Sequence, residues 1–135
     1  CYAFSCLIRL VALLPSSKKT IKGVAMVILS ISVSTKPHKR NELLSALSQL
    51  IDTSEKEVGC KVCHIYQEID DPNLINVEEI WANRTDLDAY FCSDIFGALL
   101  GAIKLLGQFY EIRINDDMYT EGMDAIEGIW SKQRK

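Results

Sequence analysis

The apolar positions change period along the chain, and each change marks an element. Val27, Leu29, Ile31 and Val33 alternate with Ile28, Ser30, Ser32 and Ser34. A period of two belongs to a strand with one face turned to a core. Lys36-Pro37-His38-Lys39 ends it, because proline cannot donate to a ladder and breaks a helix interior. Leu43, Leu44, Leu47, Leu50 and Ile51 then recur at helical spacing, with Asn41, Glu42, Ser45, Ser48, Gln49 and Asp52 on the wet side. The spacing predicts a helix from His38 to Lys56. Gly59 closes the loop after it. Cys60 to Gln67 reads as a second strand, with Val62, Ile65 and Tyr66 as strand formers. Asp70-Asp71-Pro72-Asn73 is a turn signal, and Leu74 to Trp81 is a third strand, so the pair forms a hairpin. Thr85 reads as a helix cap with Asp88 three residues on. Leu87, Tyr90 and Phe91 give that short helix its apolar stripe. Ser93 caps a continuation to Leu106, Gly107 stops it, and Phe109 to Ile114 is a fourth strand.

Strand, helix, strand, strand, helix, strand is the split βαβ order of an α+β, ferredoxin-like domain. Residues 26–115 carry it. Two helices cover one face of a four-stranded antiparallel sheet. The other face also carries apolar residues, and a second copy of the chain is the expected cover. Residues 116–135 form a tail, with Tyr119, Met123, Ile126 and Trp130 at near-helical spacing. Gly122 and Gly128 weaken that helix by about 1 kcal/mol each. A short, imperfect helix docked on the domain or its partner is expected there.

Residues 1–25 read differently. Cys6 to Leu14 is apolar apart from Arg9, and the basic residues come mostly after it, the reverse of a secretory signal. The run is shorter than the roughly 20 residues that span a bilayer. An upstream extension or remnant with the natural start at Met26 is the preferred reading, and a degenerate export signal is the alternative.

Composition narrows the function. In 135 residues, 48% hydrophobic and 24% charged positions fit one folded domain. Fifteen basic against eighteen acidic residues give a net charge of −3, with no basic stripe for nucleic acid. Five cysteines at irregular spacing argue against a disulfide framework and for a cytoplasmic setting. Cys60-Lys61-Val62-Cys63-His64 matches the haem-attachment pattern, yet strand alternation puts Cys60 and Cys63 on opposite faces. A structural zinc site needs about four ligands, and no second pair exists. No metal is expected. Glu78 and Glu79, adjacent in a strand, face opposite ways and form no acid–base pair.

An ordered set of short motifs carries a resemblance. Lys36-Pro37-His38-Lys39-Arg40-Asn41-Glu42-Leu43, Glu57-Val58-Gly59-Cys60, Tyr66-Gln67, Asp71-Pro72-Asn73, Val77-Glu78-Glu79-Ile80-Trp81, Leu87-Asp88-Ala89, Ser93-Asp94-Ile95-Phe96 and Glu111-Ile112 follow one another at characteristic distances. Over Met26 to Ile114 the chain resembles the antibiotic-biosynthesis monooxygenases, which include quinol and anthrone monooxygenases. The resemblance implies a dimeric α+β barrel of two sheets packed face to face, with a pocket in each subunit between sheet and helices. Tyr90 and Ile95 stand where many members carry histidines. The residues that haem-degrading relatives use have only Ser30, Tyr90 and Leu100 as counterparts, which argues against that activity.

The candidate site follows from both lines. Trp81 and Tyr90 have polar tips that want partners when buried, and His64 lies in a strand where it can face the pocket. These three are the candidate catalytic residues. Tyr66 and Phe91 are candidate substrate contacts, and Gly97 and Gly101, on a small-residue face of the second helix, would leave room for a flat ligand. Phe96 and Phe109 read as core. The expected function is a cofactor-independent oxygenase acting on a quinol- or phenol-type aromatic with O2. A non-catalytic dimeric binding or stress-response protein, or an isomerase of a small oxygenated metabolite, are the alternatives.

Overall fold

A computed structural model describes residues 26–116 and 120–133. The expectations for residues 1–25 and for Tyr119 lie outside the described residues. The elements run β1 (Val27–Thr35), a 3-10 turn (Pro37–Lys39), α1 (Arg40–Ser54), β2 (Cys60–Gln67), β3 (Leu74–Trp81), α2 (Arg84–Phe91), α3 (Asp94–Leu106), β4 (Gly107–Asn115), β5 (Thr120–Glu121) and α4 (Met123–Gln133). The sheet order is β2-β3-β1-β4-β5, with every pair antiparallel. This is the ferredoxin-like α+β fold, with a short fifth strand that the sequence pattern did not announce.

Strand parity sets the layers. Val27, Leu29, Ile31 and Val33 are buried toward the helices. Their β3 partners Trp81, Glu79, Val77 and Ile75 share that face. Leu43, Leu44, Leu47 and Ile51 of α1 and Phe96, Leu99, Leu100 and Ile103 of α3 close the core from above. Ile28, Ser30, Ser32 and Ser34 look the other way, opposite Ile80, Glu78, Asn76 and Leu74.

Two local features correct the sequence reading. The cap of α2 is Asn83, whose side chain accepts from the Asp86 backbone N–H at 2.8 Å, two residues before the expected Thr85. In β2 the pairing slips: Cys60 faces Trp81, Val62 faces Ile80 and Cys63 faces Glu79. Lys61 is therefore a bulge residue. The bulge resets the alternation, so Cys60 and Cys63 both lie on the helix-facing side. The expectation that they point apart is overturned. Gly59, before the bulge, has φ +93°, and a Cβ there would collide with the Asp86 side chain, so the loop requires glycine.

The tail docks on its own domain. Ile126 is fully buried, Trp130 Nε1–H donates to the Phe91 carbonyl at 3.0 Å, and Arg84 pairs with Glu121 at 2.7 Å. Among the described residues no single helix is long and apolar enough to cross a membrane.

Candidate functional site

The row Ile75, Val77, Glu79, Trp81 faces the helices, and one carboxylate interrupts it. Glu79 is 0% exposed. An ionised carboxylate in such a place needs donors, since losing its hydration is costly. Three converge on it. Trp81 Nε1–H donates at 3.0 Å, the Tyr90 hydroxyl at 3.1 Å and the Cys63 thiol at 3.6 Å. Tyr90 Oη also lies 3.0 Å from Ser54 Oγ at the end of α1. Tyr90 has one hydrogen, and with Glu79 receiving it, Ser54 becomes the donor to Tyr90. The result is a buried chain from Ser54 through Tyr90 to Glu79, which also holds Trp81.

Each member is placed by a different element. Register fixes Glu79 and Trp81 on β3, the bulge brings Cys63 opposite Glu79, and the Asn83 cap orients α2 so that Tyr90 points down. The rings of Trp81 and Tyr90 lie 4.7 Å apart, and Phe96 meets Tyr90 edge-on at 5.4 Å. Phe91 packs edge-on against Phe96 at 4.9 Å. Among the described residues these side chains pack against one another between sheet and helices.

Burial dominates the electrostatics. It pushes the Glu79 carboxyl above the usual glutamate range, although the bonds from Trp81, Tyr90 and Cys63 pull it down. Burial raises the Tyr90 phenol as well, and the Glu79 charge adds to it. The Cys63 thiol is pushed up by the same two causes, and Cys60 is pushed up to about 12. Neither cysteine is a ready nucleophile, because the thiolate is the reactive form.

The candidate residues thus divide. Trp81 and Tyr90 come together on Glu79, with Phe91 packed beside them. His64 and Tyr66 lie on the opposite face of the sheet, paired with Glu78 and Asn76. Their rings are 5.9 Å apart, and the Tyr66 hydroxyl donates to Glu78 at 3.2 Å. Gly97 and Gly101 are on the exposed side of α3, and a Cβ on either would meet nothing within 4 Å. They line no space between helix and sheet. The case against covalent haem now rests on packing: Cys63 is buried against Glu79 while His64 projects to the other face.

Sequence reasoning missed Glu79, Ser54 and Cys63. A signal existed for Glu79, a lone carboxylate in an otherwise apolar i, i+2 row. Among the described residues no group of three or more His, Cys, Asp and Glu side chains is arranged to hold a metal ion.

Comparison with known proteins extends this picture. The family model for antibiotic biosynthesis monooxygenases matches residues 26–101. An uncharacterized protein of Synechocystis is 28% identical over 83 residues, which is 61% of this chain and 56% of that relative. The chain thus spans little more than half of that relative's length. A conserved protein from Methanosarcina mazei superposes with a TM-score of 0.62 at 27% identity, covering 68% of this chain and 91% of that one. A Bacteroides thetaiotaomicron protein of unknown function, described as a possible oxidoreductase, superposes at 0.65 with 21% identity, covering 70% and 99%. That last likeness speaks for the fold alone.

Proposed function

Since the chain belongs to the antibiotic biosynthesis monooxygenase family, we propose that it is a cofactor-independent monooxygenase oxidising a quinol- or phenol-type aromatic with O2. The observation that carries the reading is Glu79, a fully buried carboxylate held by Trp81 and Tyr90 between sheet and helices. Burial that raises its pKa makes the ionised carboxylate a stronger base than an exposed glutamate.

In this reading Glu79 accepts the proton of a ring hydroxyl. The phenolate that results is electron-rich enough to reduce O2, and a carbon–oxygen bond forms to give a peroxide. The O–O bond then breaks. One oxygen stays on the ring and the other leaves as water, so one quinol and one O2 give one hydroxyquinone and one water. Tyr90 O–H and Trp81 N–H are the donors available to an oxygen that gains charge. Trp81, Tyr90 and Phe96 pack against one another here, so α2, a helix of about two turns, is the element whose movement would admit a substrate.

The reading includes a homodimer formed through the open sheet face, where Ile28, Val62 and Ile80 point away from the described helices and Phe109, read from the sequence as core, is instead 70% exposed. Light scattering at micromolar concentration tests it, and a monomer would refute it. The close ring packing around Tyr90 favours a second reading, a non-catalytic dimeric binding protein that keeps the family's frame. Oxygen uptake separates the two. A panel of quinols and anthrones is incubated with protein freed of metal and flavin. Uptake above spontaneous autoxidation, with matching loss of substrate, supports the monooxygenase. Saturable binding without uptake supports the second reading.

A further inference from the structure

We propose a second ligand site, for the phosphate of a small phosphomonoester, at the end of the sheet remote from Glu79. The proposal does not rest on the oxygenase reading. Lys36, His38 and Lys39 line one side of an open groove of about 370 Å³, and Leu105, Gly107 and Gln108 line the other. A volume of that order suits a small organic ligand. Leu29 pairs with Glu79, and Thr35 lies six residues farther along β1, which is about 20 Å at the rise of a strand. The groove is therefore separate from the buried carboxylate.

Three features point to an anion. First, residues 36–40 read Lys-Pro-His-Lys-Arg in a chain of net charge −3, so the positive potential here is local rather than general. Arg40 is committed to the Asn73 side chain at 3.0 Å, and Lys39 has a long contact of 3.8 Å to the exposed Glu42. Among the described residues Lys36 has no ion pair. Second, α1 follows the 3-10 turn directly, with the Lys39 N–H donating to the Lys36 carbonyl and the Arg40 N–H to Pro37, so the positive end of the helix dipole, rather than free amides, lies at the groove. Third, the opposing negative end of α3 is blunted. Thr35 Oγ1 donates to the Leu106 carbonyl at 2.8 Å, and the Gly107 N–H donates to Ile103.

The groove also has an apolar seat. Leu105 is 79% exposed beside the lysines, and it can pack against the organic body of the ester. Gly107 is required by the packing beneath the groove, since a Cβ there would lie 2.6 Å from Val33 Cγ1 and 2.7 Å from the Ile103 carbonyl oxygen. Two ammonium groups, a histidine N–H and the Gln108 amide match the oxygens of a phosphate dianion better than a single carboxylate.

The test is an amide-resolved NMR titration of the whole chain at constant ionic strength. The probes are ribose 5-phosphate, inorganic phosphate, chloride and vesicles containing phosphatidic acid. Saturable shifts centred on Lys36, His38 and Gln108 are expected with ribose 5-phosphate, weaker ones with inorganic phosphate, and none with chloride. The double variant K36S/K39S should lose at least about tenfold in affinity, as removal of two charge-assisted bonds implies. K61S, on the bulge at the other end of the sheet, should bind as the wild type does. Absence of saturable shifts, equal loss in K61S, or response to the vesicles alone would each overturn the proposal.

Discussion

Glu78 and Glu79 follow each other in β3, and the sheet separates their surroundings. Glu79 is buried under α1 and α2 among an indole, a phenol and a thiol. Glu78 lies on the open face, half-buried, beside His64 and with the Tyr66 hydroxyl on it. On the first face a polar group must have its partners within the protein, so each contact is costly to remove. On the second face Glu78 and His64 are only partly buried, so water can replace what a mutation takes from them, although Tyr66 beside them is buried. The same residue type thus carries different energetic weight across a few ångströms, and on the closed face burial pushes the Glu79 carboxyl above the usual glutamate range.

The sharpest way to break this contrast is Trp81→Ala. The ring is fully buried, so its loss leaves a cavity and an unpaired side of the Glu79 carboxylate. Urea unfolding should show a loss of about 3–5 kcal/mol, the range for large-to-small aromatic changes in a core. His64→Ala on the open face should cost no more than about 1 kcal/mol, as for a surface change. Similar costs for the two would erase the distinction.

A finer test is Tyr90→Phe. The sequence makes Tyr90 a candidate catalytic residue, with its hydroxyl turned to the pocket that the family resemblance implies. The structure instead gives it two buried partners, Ser54 and Glu79. The expected cost is therefore about 1–3 kcal/mol in unfolding free energy, the penalty for leaving buried polar groups unpaired. Ser54→Ala, which keeps the Tyr90 bond to Glu79, should cost only about 0.5–1.5 kcal/mol. A Tyr90→Phe protein with wild-type stability would contradict the hydrogen-bonded chain.

The smallest effect is in the pH dependence. Burial raises the Glu79 pKa in the folded state, so between the two pKa values the folded chain holds a proton that the unfolded chain has released. Its contribution to stability is complete below the unfolded value, about 4.3 for glutamate. It is lost as pH rises through the folded value. Relative to Glu79→Gln, the wild type should lose melting temperature as the pH climbs from that point. A wild type that gains melting temperature relative to Glu79→Gln as the pH rises would reverse the sign and show a carboxylate favoured by the fold.

The alternation of Val27 to Ser34 and the turn at Asp70 to Asn73 made the strands legible, and β2 and β3 end where the pattern places them. The stripes of α1 and α3 were equally readable, because burial of a helix face leaves a period in the sequence. The bulge at Lys61 was not, since one extra residue shows only against its partner strand. It decides which face Cys63 and His64 take, so the site could not be assembled from β2 alone. Gly97 and Gly101 were misplaced for a different reason. Small residues carry no signal of direction, whereas their neighbours Phe96, Leu99, Leu100 and Ile103 fix the inward face. Trp81 and Tyr90 were found because an aromatic with a polar tip is conspicuous, and the carboxylate that joins them was passed over because its neighbour Glu78 masked it.

The central claim is that chemistry resides with Glu79 and not across the sheet. Oxygen uptake on one quinol from the panel, by the wild type, Glu79→Gln and Glu78→Gln, measured free of metal and flavin, tests it most directly. Glutamine keeps one acceptor oxygen, for Trp81 or for Tyr90 but not for both, and cannot take a proton. The account predicts that Glu79→Gln lowers turnover by about a hundredfold or more, the contribution of a general base, while Glu78→Gln stays close to wild type. Full turnover in Glu79→Gln, or equal losses in both variants, would contradict it.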